Sequence, residues 1–226
     1  MLQYINIINI FKNIIFLHIF HKFIAEIPDI KKYDYDIKFN MYRSIMCLIF
    51  TLLSFYSVII HFKMGFAFPF EYHTNEFIEL QEIFVAYIIY DLIIMIKTKC
   101  KRKELYFHHI FIFIIWFIYN INGYAGWLVS IIIFCEILSV VSGVDKIALV
   151  EGNMIESMRY KKIRKNLIKF IRLPIWIICF LFNTKYINHS PSYLIWFGYI
   201  TVFTMLYLDR YWEKKCDKVI CKYKSI

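Results

Sequence analysis

Apolar segments long enough to cross a membrane recur along the whole chain. A helix of about 17–25 predominantly apolar residues spans a bilayer. The predicted spans lie at about 2–20, 44–62, 81–96, 105–120, 124–142, 167–183 and 192–208. Within hydrocarbon a chain has to satisfy its backbone hydrogen bonds internally, as a helix does. The sequence therefore predicts an all-α, polytopic membrane protein with about seven transmembrane helices.

The composition agrees with this fold class. Hydrophobic residues make up 60% of the chain, and the mean hydropathy is +0.55. This apolar share exceeds that of an average soluble domain, and no polar stretch is long enough to fold as a separate domain. The first apolar segment lacks a basic leader and a small-residue cleavage site, so we expect it to remain as a helix.

The positive charge is distributed unevenly between the two sides of the predicted membrane. The net charge is +10, and the Lys and Arg counts before, between and after the spans are 0, 5, 1, 5, 0, 6, 1 and 6. This alternation follows the positive-inside rule and predicts a lumenal or outside N-terminus and a cytosolic C-terminus. It also argues against nucleic acid as a partner. We expect the basic cytosolic face to attract anionic lipid headgroups.

Four ionisable residues lie within apolar stretches: Asp91, His108, His109 and Glu136. Such residues in membrane helices usually face the bundle interior and mark functional sites. At 1.5 Å per residue, the two carboxylates lie about 9 Å, and the histidines roughly 5–6 Å, from the cytosolic boundary. Arg172 falls at a similar depth. We therefore expect one layer of ionisable groups in the cytosolic third of the membrane.

The residue types in this layer suit acid–base chemistry. Adjacent positions on a helix point about 100° apart, so His108 and His109 cannot have the same role. A neutral imidazole can take a proton from an amine or hydroxyl nucleophile, and Asp91 or Glu136 could orient it. The alternative is a set of structural hydrogen bonds between helices.

A catalytic metal is not expected. Membrane di-iron enzymes need several histidine boxes, whereas this chain has seven histidines with only a lone H-x-x-H at His18 and His21. The six cysteines show no zinc-binding spacing. The sequence thus predicts neither a metal nor a bound cofactor.

The segment 156–172 (ESMRYKKIRKNLIKFIR) is predicted to be a basic helix on the cytosolic surface that leads into the sixth span. Its charges most simply mark the membrane boundary, and a role in binding lipid headgroups is the alternative. Pro174 lies one turn inside the span and should kink it, because its ring removes a helix hydrogen bond.

From about residue 40 to 212 the chain resembles the TLC family, named for the TRAM, LAG1 and CLN8 proteins. The resemblance runs in order through five stretches: NMYRSIMCLIF, FVAYIIYDLIIMI, ELYFHHIFIFIIW, WLVSIIIFCEILSVVSG and KNLIKFIRLPIW. The order of Y-D, H-H and E-x-x-S carries it, and LDRYWEK is similar to the family's usual ending. It implies a six-helix membrane core around a lipid-sized cavity, with one additional N-terminal helix here.

The resemblance also divides the chain and suggests its location. It implies an N-terminal helix and linker over 1–40, a TLC-type core over 41–212 and a basic cytosolic tail over 213–226. Family members are typical of the endoplasmic reticulum, and the last five residues, KYKSI, fit the K-x-K-x-x form of a retrieval signal. We expect the endoplasmic reticulum or another intracellular membrane.

Ceramide synthases in this superfamily carry a His-His pair and then an Asp-Asp pair in the next helix. By resemblance His108 and His109 occupy the His-His positions, but a single acid, Glu136, stands where the Asp pair would be, and the next carboxylate is Asp145. The chain is therefore more similar to the non-synthase branch, whose members are linked to phospholipid composition, membrane fluidity or cargo handling.

The resemblance implies a lipid-related function, and three classes stay open. The preferred one is binding or handling of lipid or acyl chains in membrane-lipid homeostasis. The second is a lipid acyltransferase that uses His108 or His109 as base, with acyl-CoA as co-substrate. The third is a cargo or translocation-associated protein. Besides the acid–base layer, we expect Arg172, Tyr87 and Trp116 to contact the lipid.

Overall fold

The structure is a computed structural model that describes residues 6–63, 75–121, 127–185, 187–188 and 191–224. Nearly all of these residues are helical, and none of them lies in a β-strand, which confirms the all-α class. The helices are α1 (Ile7–Glu26), α2 (Pro28–Lys31), α3 (Tyr35–Lys63), α4 (Asn75–Lys97), α5 (Lys103–Ile121), α6 (Trp127–Phe134), α7 (Ile137–Val150), α8 (Met154–Leu167), α9 (Leu173–Lys185) and α10 (Ser192–Lys224).

Three helical segments among the described residues have the length and composition to cross a membrane: Ile7–Glu26, Tyr35–Ile60 and Met154–Lys185. They correspond to the first, second and sixth predicted spans. The third predicted span lies on α4, which carries four acidic residues, Glu76, Glu79, Glu82 and Asp91. The structure thus supports a membrane protein, with three helices suited to crossing.

The chain forms two compact units, Met1–Glu136 and Ile137–Ile226. In the first unit α4 is central and contacts α1, α3, α5 and α6. Its core holds large side chains that are almost fully buried: Leu17, Tyr42, Phe50, Tyr87 and Ile88. The start of α1 is fixed to α4 because the Asn6 backbone N–H donates to Glu82 Oε1 (2.9 Å) and Asn9 Nδ2 donates to Glu82 Oε2 (3.1 Å).

The predicted fifth span, 124–142, is not one continuous helix. Helix α6 ends at Phe134, and α7 begins at Ile137. The amides of Cys135 and Glu136 donate to carbonyls only three residues back, at Ile132 and Ile133, and these tight turns end the α-helical pattern. The expectation of an uninterrupted helix was wrong at this point, and the interruption falls beside one of the predicted site residues.

In the second unit α8 packs against α7 and α10, and α9 packs against α10. Gly152, in the turn before α8, has φ +73°, a left-handed conformation that favours glycine. Asn153 then caps α8 by accepting from the Glu156 amide. The sequence predicts a kink near Pro174, and the structure has a π-helical turn over Ile168–Arg172 directly before it.

Candidate functional site: a buried histidine–carboxylate cluster

Asp91 is the centre of a polar group within the first unit. Its side chain is fully buried on α4. One carboxylate oxygen, Oδ1, lies 3.0 Å from Arg43 Nε on α3, and the other, Oδ2, lies 2.5 Å from His109 Nε2 on α5. An isolated buried carboxylate is strongly unfavourable. The guanidinium and the imidazole offset this cost from two different helices.

Helical spacing explains why these side chains meet. Arg43 and Cys47 are four residues apart on α3, and Tyr87 and Asp91 are four apart on α4, so each pair lies on one side of its helix. The two sides face each other, as the distance of 3.4 Å between Cys47 Sγ and the Tyr87 hydroxyl shows. The Tyr87 ring also packs edge-on to the His109 ring, with centroids 6.5 Å apart.

His108 pairs with the second carboxylate. Its Nε2 lies 3.5 Å from Glu136 Oε1, and both side chains are about 95% buried, with 6% and 5% of their surface exposed. Glu136 Oε2 in turn accepts from Cys47 Sγ at 3.7 Å. The two imidazole rings are neighbours, with centroids 5.4 Å apart. We call Arg43, Asp91, His108, His109 and Glu136 the polar cluster.

The charges within the polar cluster are not balanced by fixed groups alone. Arg43 supplies one permanent positive charge, whereas Asp91 and Glu136 carry two negative charges when ionised.

Two contacts of His109 Nε2 bear on its tautomer. Asp91 Oδ2 can only accept, which favours the tautomer with the proton on Nε2, whereas Arg43 Nη2, 3.5 Å from the same nitrogen, can only donate and favours the other tautomer. His109 Nδ1 is buried and has no hydrogen-bond partner among the residues that the structure describes. In the tautomer with the proton on Nε2, this nitrogen carries the lone pair.

All four residues of the predicted acid–base layer lie in this group. The two histidines have different carboxylate partners, as their adjacent positions on one helix lead us to expect. The sequence interpretation missed Arg43 and Cys47. Arg43 directly precedes the predicted second span, where a basic residue is expected for reasons of topology. Two carboxylates within apolar helices need a nearby cation, and this need is the sequence signal that points to Arg43.

The three predicted lipid contacts have different surroundings. Tyr87 is fully buried between Cys47 and His109. Trp116, two turns beyond the histidines on α5, is also buried and packs against the Phe113 ring with centroids 6.0 Å apart. Arg172 belongs to the second unit, where its Nε lies 2.9 Å from Asp209 Oδ1. Its immediate partner is therefore a carboxylate of its own unit.

A metal-binding arrangement is not found among the described residues, where no three His, Cys, Asp or Glu side chains are suitably grouped. The lone H-x-x-H motif instead forms hydrogen bonds to one phenol. His18 Nδ1 and His21 Nδ1 lie 3.2 Å and 2.8 Å from the Tyr90 hydroxyl. These residues tie α1 to α4 next to the polar cluster's Asp91.

Comparisons with known proteins add no relative. No family model matches the chain, and searches of curated proteins and of solved structures find no similar protein.

Proposed function

We propose that this chain is a polytopic membrane protein that binds or handles lipid or acyl chains, with the polar cluster as its working site. The observation that carries the proposal is the pairing of Asp91 with Arg43 and His109, together with His108 and Glu136, inside a bundle of otherwise apolar helices. Ionisable groups are costly in such surroundings and are usually kept where a function needs them.

In the proposed topology the chain crosses the membrane seven times, as a six-helix core with one additional N-terminal helix. The basic connections lie on the cytosolic side and the N-terminus is lumenal. Apolar side chains on the outside of the helices support this arrangement. On α10, one exposed stripe at helical spacing consists of Trp196, Ile200, Phe203 and Tyr207. Lipid tails would cover such a stripe.

We further propose that the chain is a member of the TLC family in an intracellular membrane such as the endoplasmic reticulum. The order of the Y-D, H-H and E-x-x-S motifs supports membership. In this proposal Tyr87 and Trp116 form part of the wall against which an acyl chain packs, since both lie within one or two helical turns of the cluster.

A second candidate function is transfer of an acyl group from acyl-CoA to a lipid amine or hydroxyl. The observation in its favour is the contact of His109 Nε2 with Asp91, as in other base–carboxylate pairs, together with the buried Nδ1 that has no described hydrogen-bond partner. His109 Nδ1 would take the proton of the nucleophile while it attacks the thioester carbonyl. The CoA thiolate would leave and recover that proton, which balances the step.

Lipid mass spectrometry tests the proposed binding function. Wild-type protein purified in mild detergent is compared with a His108→Ala, His109→Ala double variant. His18→Ala is the control, because His18 is an exposed histidine outside the polar cluster. We expect a defined lipid on the wild-type and control proteins that is lost or altered in the double variant. Identical bulk lipid on all three would reject the polar cluster as a lipid site.

The transfer reaction has its own test. Protein in nanodiscs is given acyl-CoA with a fluorescent acyl chain and a mixture of lipid amines and lipid alcohols. We expect His109→Gln to abolish acyl transfer to lipid while the protein stays folded, because Gln has no basic nitrogen. Transfer that is unchanged in both His108→Gln and His109→Gln would exclude this chemistry without affecting the proposal of lipid binding.

A further inference from the structure

The second unit contains a row of basic residues on α8 and the following π turn, most of which are paired with acids. Lys165 Nζ lies 2.6 Å from Asp217 Oδ1, and Lys169 Nζ lies 3.6 Å from Glu213 Oε1. Lys161 pairs with Asp145. Arg172 forms the buried pair with Asp209. Each of these four basic residues therefore has a carboxylate at ion-pair distance.

Arg164 differs from these neighbours. None of the acidic residues in the described part of the chain forms an ion pair with it, and its buried Nε has no described hydrogen-bond acceptor. Two carboxylates are near enough to attract it, Asp145 and Asp209. Each of them is already engaged by two closer donors: Ser157 and Lys161 for the first, Arg172 and Trp176 for the second.

Aromatic packing holds Arg164 in place without neutralising it. Its guanidinium carbon lies 5.8 Å from the centre of the Trp212 ring, and that of Arg172 lies 5.5 Å from the same ring. Cation–π contact of this kind orients a guanidinium but leaves its charge and its N–H donors available. The guanidinium groups of Arg164 and Arg172 thus pack against the same indole ring. Of the two, Arg172 also has a carboxylate at ion-pair distance.

From this geometry we propose that Arg164 binds the phosphate group of an anionic membrane lipid. A planar guanidinium donates in parallel to two oxygens of a phosphate, and such charge-assisted pairs are strong when partly desolvated. A phosphate would supply both the missing negative charge and the acceptor for Nε. The Trp212 ring and the neighbouring Arg172 would form the side of the site.

The position of Arg164 favours a lipid as the source of the phosphate. It lies within the helical segment Met154–Lys185, which is suited to crossing a membrane. It is three residues before the sixth predicted span, which begins at about 167, and so about 4–5 Å outside it and at headgroup level. The large apolar side chains of Ile163 and Phe170 are exposed close to it in sequence and could contact the acyl chains.

This site is independent of the polar cluster, because all of its residues belong to the second unit. The protein could lack acyl chemistry and still bind a phosphate at Arg164. Equally, the polar cluster could act on a lipid without a phosphate site at Arg164. Failure of one proposal therefore does not affect the other.

The test measures binding of phosphatidic acid and of phosphatidylcholine to the full chain in detergent by native mass spectrometry. The variants are Arg164→Gln, Arg164→Lys and the matched control Lys162→Gln, an exposed residue of the same helix. We expect Arg164→Gln to weaken phosphatidic acid binding about tenfold, as loss of one charge-assisted pair does. Arg164→Lys should weaken it less, and Lys162→Gln should stay within about twofold of wild type.

Two further measurements distinguish a lipid phosphate from free phosphate, and a binding role of Arg164 from a structural one. Inorganic phosphate should neither stabilise the protein nor displace phosphatidic acid at millimolar concentration. Without lipid, Arg164→Gln should unfold at the wild-type temperature or above, because an uncompensated charge is removed. Equal phosphatidic acid binding by wild type and Arg164→Gln would overturn the proposal. Displacement by inorganic phosphate would overturn the assignment to a lipid, and a less stable Arg164→Gln would indicate a structural residue.

Discussion

Asp91 is held by side chains from two other helices, and this determines what the polar cluster can do. Its contacts to Arg43 and His109 use both carboxylate oxygens. Arg43 supplies a permanent positive charge beside this carboxylate, and the contact of Asp91 with Nε2 fixes the orientation of His109. In the candidate acyl transfer, this carboxylate would stabilise the imidazolium that forms when His109 takes a proton.

We expect Asp91→Asn to destabilise the protein by about 3–5 kcal/mol, because Arg43 is then left as a buried charge without its counterion. The measurement is thermal unfolding in mild detergent. Glu79→Gln is the matched control, since it removes an exposed carboxylate from the same helix. The double variant Arg43→Gln, Asp91→Asn should regain part of the loss. An Asp91→Asn protein as stable as Glu79→Gln would contradict the ion-pair account.

At this scale the sequence predicts a good part of the candidate site. Asp91, His108, His109 and Glu136 stand out because each interrupts an apolar run, and the structure brings them into one unit. Arg43 does not stand out, because a basic residue beside a membrane span is common for reasons of topology. Which histidine pairs with which carboxylate depends on how each helix is rotated about its axis and how the helices pack. A segment that is apolar on all sides has no polar face, so its sequence does not indicate that rotation.

At the scale of single elements, two interruptions position polar side chains. The turn at Cys135 and Glu136 separates α6 from α7 and leaves Glu136 beside His108. The π turn over Ile168–Arg172 precedes Pro174, and Arg172 at its end is buried against Asp209. Proline gives a sequence signal for the second interruption. The first lies in the run IIIFCEIL, which has no glycine or proline.

The packing of α9 against α10 depends on Gly198. A Cβ atom at this position would overlap the buried side chain of Asn183. We expect Gly198→Ala to lower stability by about 1–3 kcal/mol, the usual cost of overpacking, measured by thermal unfolding in detergent. Shortening the partner should relieve the overlap, so Asn183→Ala should be less harmful in the Gly198→Ala background than alone. Full wild-type stability of Gly198→Ala would show that the helices do not approach closely here.

For the whole molecule, the described helices present much apolar surface on their outer faces. On α1 exposed side chains follow helical spacing: Ile8, Phe11, Ile15, Ile19 and Phe23. Together with three helices suited to crossing a membrane, this agrees with hydrocarbon as the surrounding medium. The number of spans and the sidedness rest on apolar windows and on the distribution of Lys and Arg. Both patterns reflect how a chain inserts into a membrane, through the hydrocarbon thickness and the side on which basic residues stay.

The proposed sidedness predicts which thiols a membrane-impermeant maleimide can reach. Cys221 is exposed near the C-terminal end of α10, whereas Cys47 is buried in the first unit. In sealed vesicles with the cytosolic face outward, and with Cys100 replaced by serine, Cys221 should react without detergent. Cys221→Ser should remove that label. Reaction of Cys221 only after the vesicles are opened would reverse the topology.

The central claim is that a lipid chain reaches the polar cluster, and photo-crosslinking tests it most directly. Protein in nanodiscs is irradiated with a lipid that carries a diazirine at the end of its acyl chain, and the adducts are located by peptide mass spectrometry. We expect adducts on α4 and α5 between Tyr87 and Trp116 that excess unlabelled lipid removes. Adducts confined to the exposed faces of α1 and α10, at the same yield with and without competitor, would contradict it and leave the cluster as a structural set of ion pairs.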